Sequence, residues 1–285
     1  PAFRNADFDQ PNEAYWQHVD FVVQEATQRG LYLALLPAWC RTYIEPADSA
    51  LHWDSLKAYR YGRFLGQRYR AYPNLIWVLG GDRRPTRHAI YRHLATGLTE
   101  GYADGQPDRI LLTFHPPGGT FRPPATSSGE FYHLEPWLDF NLIQSGHALG
   151  NASYERISQD YARQPTKPTL DAEPCYEGHP VKHDFKNGFF GAWDVRRRGY
   201  WSLLAGSPGQ VDDRIQSVRT EDGRFQLHYS TNGRTILLAP LPKGAWSYQW
   251  FDPRTGALSP KKPTRSNSFT PPTNGRGTDW VLVLS

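Results

Sequence analysis

Apolar positions in the first two-thirds of the chain follow two patterns that alternate. Over residues 12–29, Tyr15, Trp16, Val19, Val22, Val23 and Ala26 recur at three- and four-residue steps. Asn12 is placed to cap this segment and Gly30 to stop it, so the spacing predicts a helix. Leu31 to Trp39 (LYLALLPAW) is instead a continuous apolar run, the pattern of a strand covered on both faces. The alternation repeats as a helix at 54–72, a strand at 74–80, a helix at 86–104 and a strand at 109–115. Further on come a short strand at 140–145, a helix at 153–163, a strand at 168–173 and a helix at 186–205. The connection 115–130 is rich in Pro, Gly, Ser and Thr and long enough to suggest a role of its own.

Buried strands alternating with helices predict a parallel sheet. Five of them, with no Gly-rich dinucleotide fingerprint after any, point to an α/β fold of the (β/α)8 TIM barrel type more than to an open sheet. After Gly209 the period changes. Short alternating segments at 214–219, 224–230, 234–239, 247–251, 267–270 and 279–284 are separated by turns at Asp222-Gly223, Asn232-Gly233 and Arg254-Thr255-Gly256. These are hairpin signals, and they predict a small C-terminal all-β sandwich. The expected division is a barrel over 1–209 and a sandwich over 210–285. A full barrel takes about 250 residues, so strands before Pro1 and around 206–211 are expected to be missing or omitted. The start at Pro1 and the absence of Met from 285 residues point the same way, to a fragment, a processed form or a sequence with residues left out.

Composition narrows the function classes. Ten Trp, 16 Tyr and 14 Phe fit either a large aromatic core or a surface that stacks on sugar rings. The net charge of +4 comes from scattered basic residues. The densest run, Arg196-Arg197-Arg198, reads as a solvated helix face, and no basic stripe interleaved with aromatics argues for nucleic acid. Cys40 and Cys175 lack metal-type spacing and read as free, partly buried thiols. No apolar run is long enough to span a bilayer.

Two of the predicted strands end on carboxylates: Trp77-Val78-Leu79-Gly80-Gly81-Asp82 and Pro168-Thr169-Leu170-Asp171-Ala172-Glu173. In a parallel barrel the ends of the strands form the mouth where catalysis sits, and two carboxylates there are the minimum equipment for cleaving a glycosidic bond. Other strand ends supply Trp39, His115 and His147. The indole could floor a sugar subsite or fill the core, and the imidazoles could bind hydroxyl groups or be structural. Trp53 and Arg41 are weaker candidates of the same kind. Metal chemistry through His115, His147 and a carboxylate is a rival, although the two histidines lack the local spacing of a ligand pair. No cofactor or metal is expected.

The stretch Asn12–Gly81 with Asp82-Arg83, the run PNLIWVLGGDR at 73–83, and Tyr176-Glu177-Gly178 after Asp171-Ala172-Glu173 resemble the apiosidase-like glycoside hydrolases. These are bacterial (β/α)8 enzymes often followed by a small β-domain named for collagen binding. The tail FDPRTGAL at 251–258 and DWVLVL at 279–284 is similar to that β-domain. The resemblance implies an oligo- or polysaccharide substrate from plant cell walls, including apiose-bearing pectin side chains, and is compatible with secretion or a periplasmic location, which the residues themselves do not fix. It implies an acid/base after strand four, Asp82, and a nucleophile after strand seven, Glu173. A matrix- or carbohydrate-binding protein with a degenerate barrel is the alternative.

Each assignment has a plainer competitor. Asp82 could cap the helix near Thr86 or pair with Arg83. As an acid it would need an apolar surround or a second carboxylate to raise its pKa. Glu173 must stay ionised, with Tyr176 or His147 as the neighbour that holds it, and Glu177 is the next candidate for its role. Asp171 reads as a structural hydrogen-bond acceptor.

Overall fold

The computed structural model describes residues 2–5, 8, 10–45, 53–103, 110–118, 126–150, 153–205 and 215–285. The chain forms two compact units, Pro1–Pro117 with Thr126–Leu142, and Ile143–Ser285 with Gly118–Ala125.

The first unit holds α1 (Glu13–Gln28), β1 (Leu33–Leu35), α2 (Cys40–Tyr43), α3 (Ser55–Tyr69), β2 (Leu75–Gly80), α4 (His88–Ala103), β3 (Leu111–His115) and α5 (Gly129–Tyr132). The strands form a parallel sheet in the order β1-β2-β3, with Leu35 opposite Trp77 and Gly80 opposite His115. β2, the central strand of the three, is buried along almost its whole length. The run 31–39 departs from expectation: it gives a strand of only three residues, and Leu31 and Tyr32 are 56% and 71% exposed. Among the described residues β1 pairs with β2 alone, and Pro37 cannot donate to a ladder. The core is strongly aromatic, with Trp77, Tyr69, Tyr91, Phe114 and Tyr132 wholly or almost wholly buried. Trp53 belongs to it, packed against Phe8, Tyr43 and Tyr61. Asp54 caps α3 as its position suggested, accepting from the Lys57 N–H at 2.7 Å.

β4 (Asn141–Ile143) carries the chain into the second unit. There follow α6 (Ser153–Tyr161), β5 (Thr169–Asp171) and α7 (Ala192–Leu204). The helix expected from 186 begins only at Ala192. Gly188 takes φ +76°, and 181–187 form two short 3-10 turns, so 172–191 is a loop and not a helix start. The antiparallel part consists of β6 (Ile215–Arg219), β7 (Gln226–Ser230), β8 (Ile236–Leu237), β9 (Trp246–Asp252), β10 (Ala257–Leu258), β11 (Lys262–Thr264), β12 (Ser268–Phe269) and β13 (Trp280–Leu284). Its main sheet runs β10-β9-β13-β7-β6 with β11 also on β9, while β8 and β12 pair separately. The expected turns are present, with Gly223, Gly233 and Gly256 at positive φ. The strands at 257–258 and 262–264 carry too little alternation to be read from sequence.

The solvated reading of Arg196-Arg197-Arg198 fails. Arg198 is fully buried and donates to Ser145 Oγ, the Gly146 carbonyl and the Ala148 carbonyl. Arg196 forms a two-pronged ion pair with the buried Asp279, and Arg197 lies over the rings of Trp193 and Trp201. Each guanidinium has an internal partner, which is what permits burial. The expected gap around 206–211 lies outside the described residues.

Candidate active site

In the first unit the end of β2 delivers Asp82 through two glycines at positive φ, Gly80 (+93°) and Gly81 (+119°). The Gly81 N–H donates to the His115 carbonyl at 3.1 Å, and the Gly81 carbonyl accepts from the Cys40 thiol at 2.6 Å. A Cβ at Gly81 would sit 2.8 Å from the Trp39 indole, so glycine is what lets the turn lie against that ring. Asp82 itself is exposed and holds φ +52°, a left-handed conformation that a non-glycine residue adopts at a cost. The helix that follows begins at His88, six residues on, so Asp82 does not cap it. Trp39 is 41% exposed, and its ring centroid lies 6.5 Å from that of His115, which is buried at the end of β3 with Nδ1 3.0 Å from the Pro116 carbonyl.

In the second unit Glu173 follows β5. The Tyr176 hydroxyl donates to Glu173 Oε1, and His147 Nε2 lies 3.8 Å from the same oxygen. His147 is buried, with the His179 ring stacked on it at 4.4 Å and His183 edge-on at 5.0 Å. Burial first, then His179 and His183, hold its pKa below the ordinary histidine range, so it is neutral at neutral pH. Asp171 accepts from the Ser145 N–H at 3.1 Å, and burial pushes its carboxyl above the usual range. Cys175 is buried and free, as is Cys40. Glu177 is exposed, and no hydrogen bond or ion pair orients it among the described residues.

His179, His183 and Arg198 were not legible as site neighbours. The i, i+4 spacing of the two histidines was present, but they fall between the strand expected at 168–173 and the helix expected at 186–205, where no pattern placed them beside His147. Cys40 as a brace for Gly81 has no local signal at all, since the partners are 41 positions apart. Within neither unit do three His, Cys, Asp or Glu donors converge among the described residues; the three imidazoles meet as rings.

The described residues hold a parallel sheet flanked by helices, a carboxylate after β2 in one unit and after β5 in the other, and an antiparallel sheet. The fold is similar to that of a glycoside hydrolase family 5 protein from Bacteroides vulgatus ATCC 8482, with a TM-score of 0.79 and 24% identity over 95% of this chain and 73% of that one. A second structure named only as a glycoside hydrolase gives 0.77 and 24% over 95% and 76%. A search among curated proteins finds no match. The family model described as "Apiosidase-like, catalytic domain" matches residues 1–217, and that described as "Putative collagen-binding domain of a collagenase" matches 201–285. The chain belongs to the apiosidase-like family of glycoside hydrolases.

Proposed function

We propose that this protein hydrolyses its glycan with retention of configuration, with Glu173 as nucleophile and Asp82 as acid/base. The observation that carries the reading is the setting of Glu173. Its Oε1 accepts from the Tyr176 hydroxyl, which orients the carboxylate in its acceptor form, and a neutral imidazole stands beside it. In the first step a Glu173 oxygen attacks the anomeric carbon, the bond to the leaving oxygen breaks, and Asp82 gives that oxygen its proton. In the second, Asp82 removes a proton from water, the water oxygen attacks the anomeric carbon, and Glu173 leaves as a carboxylate. Such a mechanism requires carboxyl groups about 5–5.5 Å apart, against about 6.5–9.5 Å for inversion.

The left-handed backbone at Asp82 supports its role, because conformational strain is retained where function fixes a side chain. Trp39 and His115 would contact the sugar from the same unit as Asp82, and Tyr176 and His147 from that of Glu173. Glu177 has no such orienting contact among the described residues. The family supports a plant cell-wall glycan as substrate, with apiose-bearing pectin side chains the first to screen. The eight-stranded barrel and the division at 209/210 are part of the same proposal.

Hydrolysis of pectin-derived oligosaccharides by Asp82→Asn and Glu173→Gln tests it. Both variants are expected to lose at least a thousandfold in kcat while keeping the parent's folded CD spectrum. Cleavage at the parent's rate by both would leave these residues without the proposed roles.

A further inference from the structure

A groove of about 690 Å³ opens on the second unit, outside the residues assigned to catalysis. Trp193, at the start of α7, forms one wall, and Asn232, Arg234, Asn274 and Arg276, with the glycines and threonines beside them on the two segments flanking β8 and β12, line the rest. That volume lies in the range of pockets that enclose small organic ligands.

The groove is preformed. The Gly275 N–H donates to the Asn232 carbonyl at 3.0 Å, Thr235 and Thr270 join hydroxyls at 3.1 Å, and the Trp280 indole N–H donates to Thr273 Oγ1 at 2.9 Å. Gly233, at φ +63°, packs directly on the Thr273 backbone, where a Cβ has no room. The two segments are thus pinned together, and the ordering cost of a binding loop is already met.

Its charge is unbalanced. Asp194 is shared between Arg197 at 3.6 Å and Arg276 at 4.0 Å, and the Arg276 side chain is 76% exposed over the Trp193 ring. Arg234 is exposed, and no carboxylate among the described residues pairs with it. Two accessible guanidiniums present forked donors suited to a carboxylate. The Asn232 and Asn274 amides offer donors and acceptors for hydroxyl groups, and Trp193 adds an apolar wall. A sugar acid combines the three features such a lining recognises: a carboxylate, several hydroxyls and an apolar ring face.

We propose that this groove is a non-catalytic binding site for uronic-acid residues of a glycan chain. It holds the polymer through its carboxylates and does not take part in bond cleavage. The proposal stands apart from the assignment of Asp82 and Glu173, because binding is measured without turnover.

Titration calorimetry of the full chain with a hexuronate trisaccharide, and with the same trisaccharide after reduction of its carboxyls, provides the test. The acid form is expected to bind at least tenfold more tightly than the neutral one and to weaken as salt is raised. The double variant Arg234→Gln/Arg276→Gln is expected to lose at least tenfold in that affinity, while its kcat/KM on a small neutral glycoside that the parent cleaves stays within twofold. Equal binding of acid and neutral forms would overturn the proposal. So would undiminished uronate binding by the double variant.

Discussion

Gly81 is fixed from three directions at once. His115 accepts from its N–H, Cys40 donates to its carbonyl, and the Trp39 ring occupies the space where a side chain would go. Burial pushes the Cys40 thiol up to about 11, so it remains a protonated donor across the neutral range. The peptide plane held in this way delivers Asp82 into its left-handed conformation. Gly81→Ala is expected to lower kcat/KM more than tenfold and to cost about 1–3 kcal/mol of stability, read by steady-state kinetics and urea unfolding. Unchanged kinetics in the folded variant would show that the turn does not position Asp82 for the acid/base role proposed for it. The Gly-Gly-Asp turn was legible because its cause is local. The thiol brace was not, because it joins positions that only the fold brings together.

Helices α3 and α4 lie unusually close, and small residues are the reason. A Cβ at Gly62 would run into the Leu94 carbonyl, at Gly66 into Leu98, at Gly97 into Tyr59 and at Gly101 into Arg63. Each glycine pair is spaced by four, which places both members on one helix face. The contact presses these helices together beside β2 and so backs the strand that carries Asp82. Gly97→Ala, whose new methyl would meet backbone, is expected to destabilise by about 1–3 kcal/mol in urea unfolding. A loss below about 0.5 kcal/mol would mean that the helices part readily. At this scale the existence and order of most elements could be read from periodicity. Their ends could not: the run 31–39 yields a strand of only three residues, and the last six residues of the loop, 186–191, were counted into the helix expected over 186–205, where Phe189 and Phe190 continue the apolar pattern.

Across the second unit, α7 and the antiparallel sheet are locked by charge. Arg196 reaches Asp279 at 2.8 and 2.7 Å, the Tyr229 hydroxyl donates to the same carboxylate, and Tyr200 stacks on Tyr229 at 4.4 Å. Asp279 is fully buried, so removing its charge strands a guanidinium that is only partly exposed. Asp279→Asn is expected to cost roughly 3 kcal/mol, at the low end for a broken buried pair because Arg196 retains some solvent. Guanidinium unfolding followed by tryptophan fluorescence checks it, and a change under about 1 kcal/mol would place this contact with surface pairs. The family, the α/β alternation and the antiparallel tail were all visible in the residues. The arginine run was misread because a charge pattern does not show which buried acid lies opposite.

In the proposed mechanism Glu173 is the covalent nucleophile. The most direct measurement is peptide mapping by mass spectrometry after trapping with a 2-deoxy-2-fluoro glycoside of whichever sugar the enzyme releases. The expected result is a single glycosyl adduct on the peptide carrying Glu173, absent from Glu173→Gln. An adduct on Glu177 or another carboxylate, or product of inverted configuration with no adduct at all, would contradict it.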